Sequence, residues 1–205
     1  MSKYQLDSSP IYIDGTDIPQ NKLDISDSEL IHEIEQNLLT QAYEQFSSQL
    51  NKQTVFDEIY FINLHKKTFE SLYDFAGVYR NVNMSKGESQ FCLASYLQNE
   101  SARIFNELKE DNYLSDLVEK KDFSTKLAYY QGELIALHPF YELNGRILRL
   151  YFDMLCVWNG YKTIDYTDAV MNGEYIEASI ECVQYADTTK LEKIIFNGLK
   201  QRSLK

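Results

Sequence analysis

A chain of 205 residues with 20 basic and 31 acidic side chains carries a formal charge of −11. At that length it can bury ~70% of its unfolded surface without disulfide or metal staples. The acid excess argues against a general grip on nucleic acid or an anionic membrane, because both need surplus Lys and Arg, although one locally basic pocket stays open. With 44% apolar and 25% charged residues the composition is globular rather than disordered.

Only 8 Gly and 3 Pro are present, which favours helices over a turn-rich sandwich or barrel. Cys92, Cys156 and Cys182 lie far apart with no CxxC spacing, so a reducing, cytoplasmic setting is expected rather than a disulfide framework or zinc site. The opening Met1–Asp7 has no apolar leader, and no apolar run approaches the ~18 residues a membrane span needs.

In chain order, residues 1–25 hold two of the three prolines and Asp14-Gly15 and read as an irregular arm. Residues 26–205 read as a single domain. Ser26 with Glu29 forms a capping-box pattern, and Leu30, Ile31, Ile34, Leu38 and Ala42 carry a helix to about residue 50. A second helix is predicted over 54–75, with Phe56, Ile59, Tyr60, Leu64, Thr68 and Leu72 on one face. The period then changes. Residues 79–84 and 90–93 flank Ser85-Lys86-Gly87-Glu88 as two short extended segments around a turn. Such a hairpin is either a surface connector or an edge that accepts an extended peptide through main-chain hydrogen bonds. Helical patterns resume at 95–111, 115–121, 123–137, 146–159, 173–185 and 189–202. The fold class expected is all-α, a helical bundle with one small β-hairpin.

The chemistry is concentrated in residues 137–149, Leu-His-Pro-Phe-Tyr-Glu-Leu-Asn-Gly-Arg-Ile-Leu-Arg. Pro139 ends the preceding helix at His138, and a short loop feeds the next. Unpaired N–H groups around Asn144 to Ile147 suit an anion, and Gly145 lets backbone approach it closely. Arg146 and Arg149, one turn apart, can face the same polyanion. Glu142 can hold a magnesium ion shared with phosphate oxygens, and His138 can accept a proton near neutral pH. Each piece also has a plainer reading: a helix-end His as a cap, two arginines as a solvated face, Asn-Gly as a turn. Their joint order within twelve residues argues for transfer of a phosphorus group from a nucleotide.

His138 through Arg149 resembles the Fic (filamentation induced by cAMP) motif, HPFx[DE]GNGRxxR, at every specified position but one. Leu72–Gly77, Arg80, Asn83–Gly87 and Phe91 are similar to the stretch leading into that family's flap hairpin, and a likeness of some kind spans about residues 55–200. The opening arm is like that of some bacterial members. The resemblance implies a Fic fold and a bacterial, toxin-like protein adenylyltransferase that moves AMP from ATP to a Tyr, Ser or Thr hydroxyl of a target protein, with type II topoisomerases as candidate targets. It makes His138 the general base, Phe140 an anchor of the loop, Glu142 the Mg²⁺ ligand, Asn144 and Gly145 part of the anion hole, and Arg146 and Arg149 phosphate contacts. Lys86, Gly87 and Phe91 belong to the flap that holds the target segment, and adenine lies between Tyr96 and the region Met171–Tyr175.

The departure is Leu143, where the family has Gly or Ala. A negative φ is expected there, with Leu143 lining the nucleotide site as an apolar wall, since a positive φ would cost Leu on the order of 1 kcal/mol or more. Many relatives are restrained by a helix carrying [ST]xxxE[GN]. Thr188 to Lys193 fits only in part, and Thr189 with Glu192 reads better as a capping box. Ser115 to Glu119 fits by spacing alone, and the helix at 28–50 offers no such motif. A separate small antitoxin supplying a Glu to Arg149 is therefore expected. The alternatives are the kinase chemistry of the Doc branch, which has Lys where this chain has Gly145, and a catalytically silent fold used for protein binding.

Overall fold

A computed structural model describes residues 4–7 and 11–201. The elements run β1 (Gln5–Leu6), α1 (Ser28–Gln49), α2 (Glu58–Phe69), β2 (Met84–Lys86), β3 (Ser89–Gln90), α3 (Leu97–Glu110), α4 (Lys120–Leu137), α5 (Asn144–Trp158), α6 (Thr167–Met171), α7 (Glu174–Tyr185) and α8 (Thr189–Gly198). The all-α expectation with one small sheet holds. Residues 1–3 and 8–10 of the arm, and the predicted end of the last helix at 202, lie outside the described residues.

Helix α5 is the axis of the bundle: Leu150 to Cys156 is buried without interruption, which requires neighbours on every side. Helices α1 and α2 pack on one side of it and α4 on another, and α4 in turn carries α3, α7 and α8. Helix α1 contributes Ile31, Leu39, Ala42 and Phe46, and α2 contributes Phe61, Leu64 and Phe69. Ile59, expected on the buried face of α2, is 67% exposed. That helix starts later than its hydrophobic pattern suggests, because Asp57 caps it by accepting from the Tyr60 N–H at 2.8 Å.

Capping also corrects two other boundaries. Asp27, not Ser26, caps α1, with its Oδ1 accepting from the Glu29 and Leu30 N–H groups at 2.8 and 3.0 Å. The Thr189–Glu192 box does not form. Asp187 takes the Thr189 N–H at 2.8 Å, and Glu192 is ion-paired with Lys121. The helix expected over 115–121 is absent; a 3-10 turn at Asn112–Leu114 with three positive φ angles redirects the chain before α4.

The sheet holds the main surprise. The order is β1-β2-β3, all antiparallel, with Gln5 opposite Ser85 and Leu6 opposite Met84. The arm is thus not irregular throughout: it lays a third strand on the outer edge of the 84–90 hairpin. A strand of two residues carries no hydrophobic pattern of its own, and its partner lies almost eighty residues away.

Candidate active site

Helix α4 stops at Leu137, and His138 caps it with φ 46° and ψ 58°. Pro139 bars the right-handed helical region at His138, and the left-handed conformation turns the chain sharply into the loop. Three braces fix that loop. Asn144 accepts from the Phe140 N–H at 2.8 Å and donates to the Phe140 carbonyl at 2.7 Å. Phe140 is wholly buried and stacks on His65, with ring centroids 3.9 Å apart. His65 accepts the Gly77 N–H at Nδ1 (2.8 Å), so its Nε2–H donates to the Glu142 carbonyl (3.1 Å). Burial lowers the His65 pKa to about 4, which keeps this arrangement neutral.

Arg80 ties the loop to the hairpin. Its buried guanidinium donates to the carbonyls of His138 (2.9 Å), Leu137 (3.2 Å), Val82 (2.8 Å) and Cys92 (2.5 Å). A cation ringed by carbonyl dipoles needs no carboxylate.

His138 is buried beneath the hairpin, its ring stacked on Phe91 at 3.9 Å. Burial, helped by the Arg80 charge, lowers its pKa to about 3. The ring is therefore neutral. Nε2 shares a hydrogen bond with the hydroxyl of Tyr4 at 3.0 Å, and in the tautomer protonated at Nδ1 it is the acceptor.

Beyond His138 the chain delivers the remaining polar groups. Glu142 accepts from the Tyr12 hydroxyl at 2.5 Å, and burial raises its pKa. Leu143 precedes α5 at φ 67° and ψ 10°, which overturns the expected negative φ; its side chain is 8% exposed and packs into the core. The left-handed turn at Leu143 launches α5 directly, so the Arg146 and Ile147 N–H groups already bond the Leu143 carbonyl at 3.1 Å. The N–H groups left without an intrahelical acceptor narrow to Asn144 and Gly145. A Cβ on Gly145 would meet no atom within 4 Å, so that face is open.

Arg146 and Arg149 share the same helix edge but differ in company. Arg146 is ion-paired at 2.6 Å with Glu35 of α1, whose other oxygen accepts from the Tyr73 hydroxyl at 2.6 Å. Arg149 makes no ion pair with any described residue and lies over the Tyr175 ring at 5.7 Å. Glu35 went unnoticed in the sequence although the signal is there: it occupies the buried stripe Ile31, Glu35, Leu39, Ala42, where a carboxylate requires a partner.

The structure therefore brings His138, Glu142, Leu143, Asn144, Gly145, Arg146 and Arg149 onto one turn, with Lys86, Gly87 and Phe91 in the hairpin beside it. Tyr96 does not join them. It is 56% exposed, in a cleft of about 410 Å³ with Leu93, Glu100, Arg103 and Glu133. Tyr175 lies across α4 from that cleft, bonded to Gln131, so the two rings cannot sandwich one base. Among the described residues no group of three His, Cys, Asp or Glu could hold a metal ion, and no helix is long and apolar enough to cross a membrane.

Residues 55–156 match the Fic/DOC family. The chain is 28% identical over 162 residues to "Probable protein adenylyltransferase y4lH" of Sinorhizobium fredii, a match covering 79% of this chain and 82% of that protein. It is 32% identical over 204 residues to "Protein adenylyltransferase VbhT" of Bartonella schoenbuchensis, covering 98% of this chain but only 41% of that longer protein. Among solved structures, the BepC effector of Bartonella tribocorum with bound AMPPNP superposes with a TM-score of 0.81 at 21% identity, covering 94% of this chain and 97% of that one.

Proposed function

Because the chain belongs to the Fic/DOC family, we propose that it is a protein adenylyltransferase, moving AMP from ATP to a hydroxyl of a polypeptide. One observation carries the reading: a strand added to the hairpin edge sets a hydroxyl 3.0 Å from the Nε2 of a neutral, buried His138. An acceptor in that place has its proton facing a base.

In this mechanism His138 Nε2 takes the hydroxyl proton as the oxygen attacks the α-phosphorus, and the bond to the β-phosphate breaks to release pyrophosphate. The Asn144 and Gly145 N–H groups, at the positive end of α5, face the phosphate chain. Arg146, steered by Glu35, and Arg149, free to reorient over Tyr175, neutralise the charge that grows on the leaving oxygens. Glu142 is the residue that would hold Mg²⁺. A single carboxylate suits an ion that takes its other ligands from phosphates and water. When bound, that ion offsets phosphate charge. Hairpin residues Lys86 and Phe91 hold the acceptor segment, the first by charge and the second as a wall beside the base.

The chain is also proposed to be toxin-like, acting in the cytoplasm, with a type II topoisomerase as the target class its family suggests. It is held in check by a separate small protein presenting a Glu to Arg149. Two facts support that restraint: Arg149 makes no ion pair among the described residues, and Glu192, the internal candidate with the fuller match, is engaged by Lys121. ATP labelled at the α- or the γ-phosphate separates the chemistries. Transfer of the α label to protein, abolished in His138→Ala, is expected; transfer of the γ label alone would establish a kinase instead. A chain indifferent to any small protein bearing [ST]xxxE[GN] would refute the restraint.

A further inference from the structure

We propose that Tyr4 is an acceptor of AMP within its own chain, so that the arm is a built-in substrate of the site it covers. The inference rests on the adenylyl-transfer reading and adds the identity of one acceptor.

Backbone pairing positions the residue. Gln5 and Leu6 lie antiparallel to Ser85 and Met84, and the Asp7 N–H donates to the Asn83 carbonyl at 3.3 Å while the Asn83 amide donates to the Asp7 carboxylate at 2.9 Å. These bonds fix the strand's register, and the register places Tyr4 beside the catalytic turn. Its ring is then gripped on three sides: Lys86 stands over it at 4.9 Å, and the edges of Phe91 and His138 meet it at 6.1 and 5.1 Å between centroids. The hydroxyl ends on His138 Nε2 at 3.0 Å, the one described hydroxyl hydrogen-bonded to that base.

The second arm tyrosine near the site is not so placed. Tyr12 donates its proton to Glu142, and a carboxylate whose work is to hold a cation is not aligned to pass that proton on during attack at phosphorus. Of the two, Tyr4 alone meets the group that can deprotonate it. Proximity of this kind replaces a bimolecular encounter by an intramolecular one, which is worth several orders of magnitude in rate.

The step balances. The Tyr4 oxygen forms a bond to the α-phosphorus of ATP, the bond from that phosphorus to the β-phosphate oxygen breaks, pyrophosphate leaves, and the phenolic proton moves to His138. The products are a tyrosyl-AMP phosphodiester and pyrophosphate.

The test uses the full chain with ATP and Mg²⁺, read by intact mass and by peptide mapping. Wild type should gain one AMP on the peptide holding Tyr4, Tyr4→Phe should lose that label entirely, and the rate should not change with protein concentration. A His138→Ala chain mixed with wild type should stay unlabelled at Tyr4. Label confined to other residues, or a Tyr4 label whose rate rises with concentration, overturns the inference. If Tyr4 stays bare while lysate proteins take the α label in a His138-dependent way, the self-acceptor fails and adenylyl transfer stands. If no protein takes the α label at all, the transfer reading falls and takes the inference with it.

Discussion

Two substitutions at Leu143 measure the strain stored at the mouth of the site. The residue sits at φ 67°, where an L side chain costs about 1–2 kcal/mol, and it repays part of that by burying nearly all of its surface. Leu143→Ala removes the burial and keeps the strain, a loss of about 2–3 kcal/mol. Leu143→Gly removes the burial and also releases the strain, less about 0.5–1 kcal/mol for the extra freedom glycine gives the unfolded chain. The Gly variant should therefore be more stable than the Ala variant by about 0.5–1 kcal/mol, with both below wild type. In a chain of this size that is a gap of about 1–4 °C in melting temperature. The order is diagnostic, because at an ordinary helical or extended position Ala exceeds Gly by a similar margin. Urea and thermal midpoints of the three proteins decide it. Ala above Gly would refute the left-handed assignment and the strain argument together.

Further expectations concern the groups around this turn. His138 and His65 are held at about 3 and about 4 by burial, below the ordinary value near 6.5. The unfolded chain thus binds protons that the folded chain refuses, so stability is full above about pH 6.5 and falls as pH drops toward the folded values. Urea midpoints followed from about pH 7.5 to 5 should decline less in His138→Gln, and equal declines would contradict the assignment. Glu35→Gln keeps an acceptor for Tyr73 but leaves Arg146 without its counter-charge, at a cost of about 1–2 kcal/mol given that water reaches the guanidinium. A double-mutant cycle with Arg146→Gln that returns no coupling would rule out the pair as a stabilising contact. Arg80→Lys cannot reach four carbonyls with one ammonium and should cost about 3 kcal/mol. Amide exchange should quicken selectively at residues 82–92; uniform exchange would argue against Arg80 as the tie between hairpin and loop.

The candidate active-site turn was legible in the sequence because its parts are contiguous. His138, Glu142, Asn144, Gly145, Arg146 and Arg149 are brought together by one helix end, one loop and one helix start, and local rules suffice to assemble them. What escaped depends on long-range partners. Strand β1 is two residues long and exists through Ser85 and Met84, so no local period could announce it. Glu35 was visible as a carboxylate on an apolar stripe, yet its partner Arg146 lies more than a hundred residues on. Leu143 misled for the opposite reason: its side chain suits the core, and packing there outweighed the backbone preference that would have selected glycine. Tyr96 was misplaced because α4 stands between it and Tyr175, a separation only the packing of the bundle reveals.

The pairing of β1 with the hairpin has a consequence for selectivity. Main-chain bonds are blind to side-chain identity, whereas alternation sends neighbouring residues to opposite faces. A guest strand shifted by a single residue would offer the imidazole the Gln5 amide instead of a phenol. Under the proposed transfer reaction, the edge measures distance along a polypeptide rather than reading its letters, and the alcohol that falls at the right step is the nucleophile.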